Sequence, residues 1–83
     1  MLQIANGVKF DRYKSKYIYH DQDVFEANET TLRILEICCE PRSETEIVKI
    51  LLTEYQVDEK KLVKDISDIT TKLLKNGLLV KIQ

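Results

Sequence analysis

The sequence has no tryptophan, a single histidine, a single proline, two glycines and two cysteines, and each shortage removes a class of function. With glycine only at Gly7 and Gly77, there is no glycine-rich loop to cradle a phosphate. Cys38 and Cys39 are adjacent, and a vicinal disulfide is strained and staples nothing distant, so both read as reduced thiols. No second thiol pair or histidine lies at ligand spacing, which argues against a structural metal. The apolar runs are short and broken by charge, well below the roughly 20 residues needed to cross a bilayer. MLQIANGVKF lacks the basic flank and apolar stretch of a signal peptide, so the expected location is cytoplasmic. Thirteen basic against fourteen acidic side chains leave a net charge of −1, without the basic footprint of a duplex-binding domain.

What remains is the composition of an ordinary globular protein: 83 residues, 43% hydrophobic and 33% charged, enough for one domain spanning residues 1–83. From Val8 to Ala27 the chain is rich in β-branched and aromatic residues and divides into VKFDRY, KYIYHD and DVFEA. The joints at Lys14-Ser15 and Asp21-Gln22 are too short for anything but antiparallel neighbours, so these pieces predict a three-stranded meander.

At Asn28 the apolar period lengthens to that of a helix, and Asn28 is a good N-cap. Thr31, Ile34, Leu35 and Cys38 recur at helical spacing until Pro41 stops the run. Ser43 with Glu46 has capping-box spacing and opens a second helix through Ile47, Ile50 and Leu51. Asp58 caps a third and longest helix, whose stripe of Leu62, Ile66, Ile69 and Leu73 is broadened by Val63, Thr70 and Leu74, and Asn76-Gly77 ends it. LLVKI closes the chain as a short strand or an extended tail. The predicted class is α+β, a three-stranded antiparallel sheet followed by three helices, with a helical part resembling a winged helix-turn-helix.

Catalytic groups are scarce. His20 stands alone in the alternation YIYHD, and Cys38 lies inside an apolar helix where a thiolate is disfavoured. Tyr13, Tyr17, Tyr19 and Tyr55 could stack on unpaired bases, yet no positive groove accompanies them. The lysines Lys60, Lys61, Lys64, Lys72 and Lys75 are interleaved with acidic residues and read as a solvated helix face. An enzyme is not expected, and no cofactor is called for.

The run VFEANETTLRILEICCE, followed by SETEIVKILLTEYQVDEKKLVKDISDITTKLLKNGLL, resembles the PqqD-like family, whose members are also called RiPP recognition elements. The matching features are Ala27-Asn28, Ile34-Leu35, Ile47 with Leu51, Asp65-Ile66, and Leu73 with Gly77-Leu78. The resemblance implies a non-catalytic adaptor that holds the leader of a ribosomally made precursor peptide, adding it as a strand between the third predicted strand and the third helix. The implied site is Asp23, Val24, Phe25, Glu26 and Ala27 on the strand, facing Val63, Ile66, Ser67, Thr70 and Leu74, with Lys60 and Lys64 at the rim for acidic leader groups. An edge strand suits this role because its unpaired amides and carbonyls can be satisfied by an extended peptide.

The chain is expected to be free-standing and to deliver its precursor to a separate processing enzyme. Such family members serve either a lasso-peptide leader protease or, in the PQQ case, a radical-SAM enzyme, and the small size favours the lasso type. Two other readings stay open: a winged-helix DNA-binding regulator, which the mixed charge of the third helix disfavours, and a domain that dimerises through its sheet edge.

Overall fold

Three helix caps readable from single residues form in the computed structural model, which describes residues 1–83. Asn28 Oδ1 accepts from the Thr31 amide at 2.8 Å and opens α1 (Glu29–Ile37). The Ser43 hydroxyl accepts from the Glu46 amide at 3.1 Å while the Glu46 carboxylate accepts from the Ser43 amide at 2.9 Å, a reciprocal box at the start of α2 (Glu44–Glu54). Asp58 Oδ1 accepts from the Lys60 amide and opens α3 (Glu59–Lys75).

The end of α3 is set by Gly77, whose φ of 75° lies where a side chain would be strained. Its amide donates to Leu74 O, and the Leu78 amide donates to Leu73 O at 2.9 Å, which is the Schellman pattern. This motif turns the chain back so that Leu78 and Leu79, each 1% exposed, enter the core.

Five strands form. β1 (Leu2–Ile4), β2 (Lys9–Phe10), β3 (Tyr17–His20) and β4 (Asp23–Glu26) precede the helices, and β5 (Leu79–Lys81) follows them. β2, β3 and β4 make the anticipated antiparallel meander, in that order, with Phe10 opposite Ile18 and Ile18 opposite Phe25. The first strand is shorter than the pattern VKFDRY suggests because Asp11 starts a turn: its carboxylate accepts from the Tyr13 amide and its carbonyl from Lys14 and Ser15. Between β3 and β4 the two-residue loop places Asp21 at φ 54°, in the left-handed region that aspartate tolerates better than most residues.

The N-terminal segment adds a second sheet that the sequence reading leaves unassigned. β1 pairs antiparallel with β5, Gln3 opposite Val80, and β1 also bonds Arg42 on its other side. The winged helix-turn-helix likeness therefore holds only loosely: no hairpin follows α3, and the strand after it returns to the N-terminus.

The core draws side chains from all three helices and from both sheets. Ile34, Leu35, Ile47, Leu51 and Ile66 are fully buried, with Ile18 from the meander against them. Cys38 joins this core as a small apolar side chain, and burial pushes its thiol up to about 11, with the neighbouring Cys39 adding to the shift. Cys39 is exposed and both thiols are free. A thiol reagent at neutral pH should accordingly label one cysteine per native chain quickly, at Cys39, and reach Cys38 only on unfolding, as peptide mapping of the labelled protein would show.

A chain of alternating charges ties the outside of α1 to its neighbours. Arg33 Nε donates to Glu54 at 2.9 Å and Arg33 also bonds Glu36, which in turn accepts from Arg12 of the β2–β3 loop at 3.2 Å. The bond from Arg33 holds the Glu54 carboxyl below its ordinary value of 4.5, and the bond from the Ser43 backbone does the same for Glu46. Both folded values are depressed, so their contribution is present above the ordinary carboxylate pKa and is lost as pH falls through the lowered values. Thermal stability should thus hold from neutral pH to about 5 and decline below that, and Glu54→Gln should flatten the decline in acid melts.

Candidate functional site

β4 is the outer strand of the meander, with β3 on one side and nothing paired on the other. Which of its amides face outward follows from one bond: the Ala27 amide donates to Lys16 O at 2.8 Å, continuing the register that pairs Tyr17 with Glu26. Antiparallel ladders alternate, so Asp23 and Phe25 address β3, whereas the amides and carbonyls of Val24 and Glu26 point away from the sheet. Side chains alternate as well. Phe25 turns toward the core, and Val24, 58% exposed, sits on the outer face beside Tyr19.

Beside this edge runs a cavity of about 270 Å³ between β4 and the C-terminal half of α3. Phe25, Glu26 and Ala27 line one wall and Ile69, Lys72, Leu73 and Asn76 the other. The α1 entrance contributes Asn28 and Thr31, and Ile18 and Leu78 close the inner end. This volume is just below the usual range for small-molecule pockets, about 300–1,000 Å³, and suits one or two inserted side chains better than a cofactor. A second cavity of about 320 Å³ continues it along α3, sharing Asn28 and Ile69 and reaching Tyr55, Val57, Asp65 and Asp68.

The structure places the residues anticipated from the sequence in three different settings. Phe25, Glu26 and Ala27 line the cavity, and Asp23 and Val24 lie on the same edge outside it. The helical residues go elsewhere. Ile66 is fully buried in the core, and Thr70, also fully buried, donates its hydroxyl to Glu44 of α2 at 2.8 Å. Val63 lines a cleft with Val48 and Leu52 of α2, and Leu74 packs on the core from the same flank. Lys60 and Lys64 are exposed, Ser67 is half-buried, and none of the three lines the cavity beside β4.

The helical wall of the cavity beside β4 consists instead of Ile69, Lys72, Leu73 and Asn76. The reason is rotational. At about 100° per residue, Leu62, Ile66 and Leu73 form the buried centre, Asp65, Ile69, Lys72 and Asn76 fall on one flank of it, and Val63, Thr70 and Leu74 on the other. The stripe is visible in sequence, but which flank meets β4 depends on α2 covering the other one. A cue was present in Thr70 and Val63: a half-apolar flank suits a helix–helix contact, and an alternation of Asp, Ile, Lys and Asn suits a wet groove.

Charge along the edge is unevenly neutralised. Glu26 is held by Lys16 at 2.7 Å, a bond that raises the Lys16 pKa. Lys72, Asp65 and Asp68 belong to none of the chain's ion pairs. His20 contacts the Asn6 carbonyl at 3.1 Å and sits away from the cavity's lining, and no group of three or more His, Cys, Asp or Glu is placed to hold a metal. No helix is long and apolar enough to cross a membrane. The arrangement offers an extended chain a row of backbone partners above a slot of mixed apolar and polar lining.

No curated protein matches the chain in sequence. Among solved structures, one described as lasso peptide synthetase B1 complexed with the leader peptide is similar in fold, with a TM-score of 0.77, 17% identity, and coverage of 96% of this chain and 98% of that one. The sequence pattern of the family described as Coenzyme PQQ synthesis protein D (PqqD) matches residues 16–79, a span that runs from the start of β3 to the start of β5 and so includes the edge strand and all three helices. The chain belongs to the PqqD family.

Proposed function

We propose that this chain is a non-catalytic adaptor that captures the leader of a ribosomally synthesised precursor peptide as an added strand on β4 and presents it to a separate processing enzyme. The observation that carries the reading is the free edge itself: Val24 and Glu26 present outward amides and carbonyls directly beside a partly apolar slot closed by α3. Family membership supports a role in peptide modification, and the similar fold has been solved with a leader peptide bound. Pairing at two residues exchanges up to four backbone hydrogen bonds, each contributing about 0.5–1.5 kcal/mol net. Selectivity must come from side chains entering the slot.

A lasso-type leader protease is the favoured partner, on the strength of that fold likeness, with a radical-SAM enzyme as the alternative. NMR titration with the leader of a candidate precursor peptide tests the site. Amide resonances of Asp23 to Ala27 should shift together with those of Ile69, Lys72 and Asn76, while Val63, Ser67 and Thr70 shift less. Shifts confined to the α2–α3 cleft would overturn the groove assignment.

A further inference from the structure

The two cavities along α3 differ in charge. The one beside β4 has Lys72 as its single basic lining residue, and its acid, Glu26, is already engaged by Lys16. The other has an apolar base of Tyr55, Val57, Leu62 and Ile69, two carboxylates at Asp65 and Asp68, and no basic residue. They are joined at Asn28 and Ile69, so together they form one trough with a cation toward the C-terminal end of α3 and anions toward its N-terminal half.

Chain direction in the trough follows from topology. The end of β4 leads to Asn28, where the two cavities meet, and from there to Thr30 in the second, so β4 and α3 run in opposite directions. A peptide added antiparallel to β4, the slightly more stable pairing, runs along α3 in the same direction as the helix. Its N-terminal part then reaches Asp65 and Asp68.

We infer that the trough selects a charge-ordered peptide: a basic residue held by Asp65 and Asp68, then an apolar side chain seated between Phe25 and Leu73, with an acidic residue beside or after it at Lys72. Asp65 and Lys72 are seven helix residues apart, about 10 Å at 1.5 Å per residue, which an extended peptide spans in about three residues. Because side chains of an added strand alternate between faces, the trough-facing positions are two apart, and the basic residue lies four positions before the acidic one, the even spacing that spans this distance. Val57, 49% exposed, gives the second cavity an apolar surface for the aliphatic stem of the lysine or arginine.

This inference rests on strand addition at β4, and its test separates the two. Two blocked synthetic peptides of identical composition, with a Thr-Leu-Thr core between a Lys before and a Glu after, or the reverse, are titrated by fluorescence anisotropy against the intact chain at low salt. The Lys-first peptide should bind about threefold to tenfold tighter, the range two partly exposed ion pairs can supply, and the preference should shrink in high salt. The double variant Asp65→Lys/Lys72→Glu, which keeps net charge and alters only exposed positions, should invert the order. Binding that Val24→Pro abolishes but that ignores charge order overturns the inference and leaves strand addition standing. A charge-order preference that survives Val24→Pro overturns strand addition and, with it, the peptide direction on which the inference rests, and absence of binding by both peptides overturns both.

Discussion

Val24→Pro should weaken leader binding by roughly thirtyfold or more while leaving the domain folded. Proline removes the outward amide of Val24, which β3 does not use, so no internal hydrogen bond is lost. The bound peptide loses that bond, about 0.5–1.5 kcal/mol, and its facing carbonyl is left short of a donor, adding about 1–3 kcal/mol where water cannot replace it. A sum near 2 kcal/mol corresponds to the stated loss. The neighbouring substitution is the control. Phe25→Pro removes an amide aimed at Ile18 and also a ring that packs on the core, so it should unfold or strongly destabilise a chain whose whole stability is about 4–12 kcal/mol for its length. Calorimetry for binding and thermal melts for folding would show opposite outcomes at adjacent residues. Equal effects on binding with both folds intact would mean that the peptide does not pair with this edge.

The contrast between these two positions marks what the sequence could reveal. The three helices were legible because their boundaries are local: Asn28, Ser43 with Glu46, and Asp58 each cap with their own side chains, and Gly77 alone can take the turn that ends α3. The meander was legible because its loops are short. The sheet of β1 and β5 was not, since Leu2 pairs with Lys81 across nearly the whole chain and three residues carry no period of their own. The walls of the candidate groove were half legible for a related reason. Its strand wall follows from being last in the meander, which leaves β4 an edge, but its helical wall depends on which flank of α3 is covered by α2. The capped polar start of α2 hides the partner that decides this, the Glu44 carboxylate that meets Thr70.

Two substitutions on α3, three residues apart, should separate its structural face from the face proposed to meet the leader. Ile66 is fully buried in the core, so Ile66→Ala should cost about 2–5 kcal/mol of stability, the range for removing a buried aliphatic chain and leaving a cavity. In a domain of this size each kcal/mol lowers the melting temperature by roughly 4–8 °C, so the midpoint should fall by about 10 °C or more. Where the variant remains folded, its leader affinity should be close to that of the parent, because Ile66 lines neither cavity of the trough. Ile69 is half-buried and lines both. Ile69→Glu therefore keeps most of the core intact and places a charge where apolar leader side chains would sit, next to Asp65 and Asp68 on the same flank. Its melting temperature should drop less than that of Ile66→Ala, and its leader affinity should fall by about tenfold or more, the equivalent of one apolar side chain denied its burial at about 1.5–3 kcal/mol. If Ile66→Ala instead abolished binding without loss of stability, the peptide would have to lie over the buried face of α3, and the flank assigned to the groove would be the wrong one.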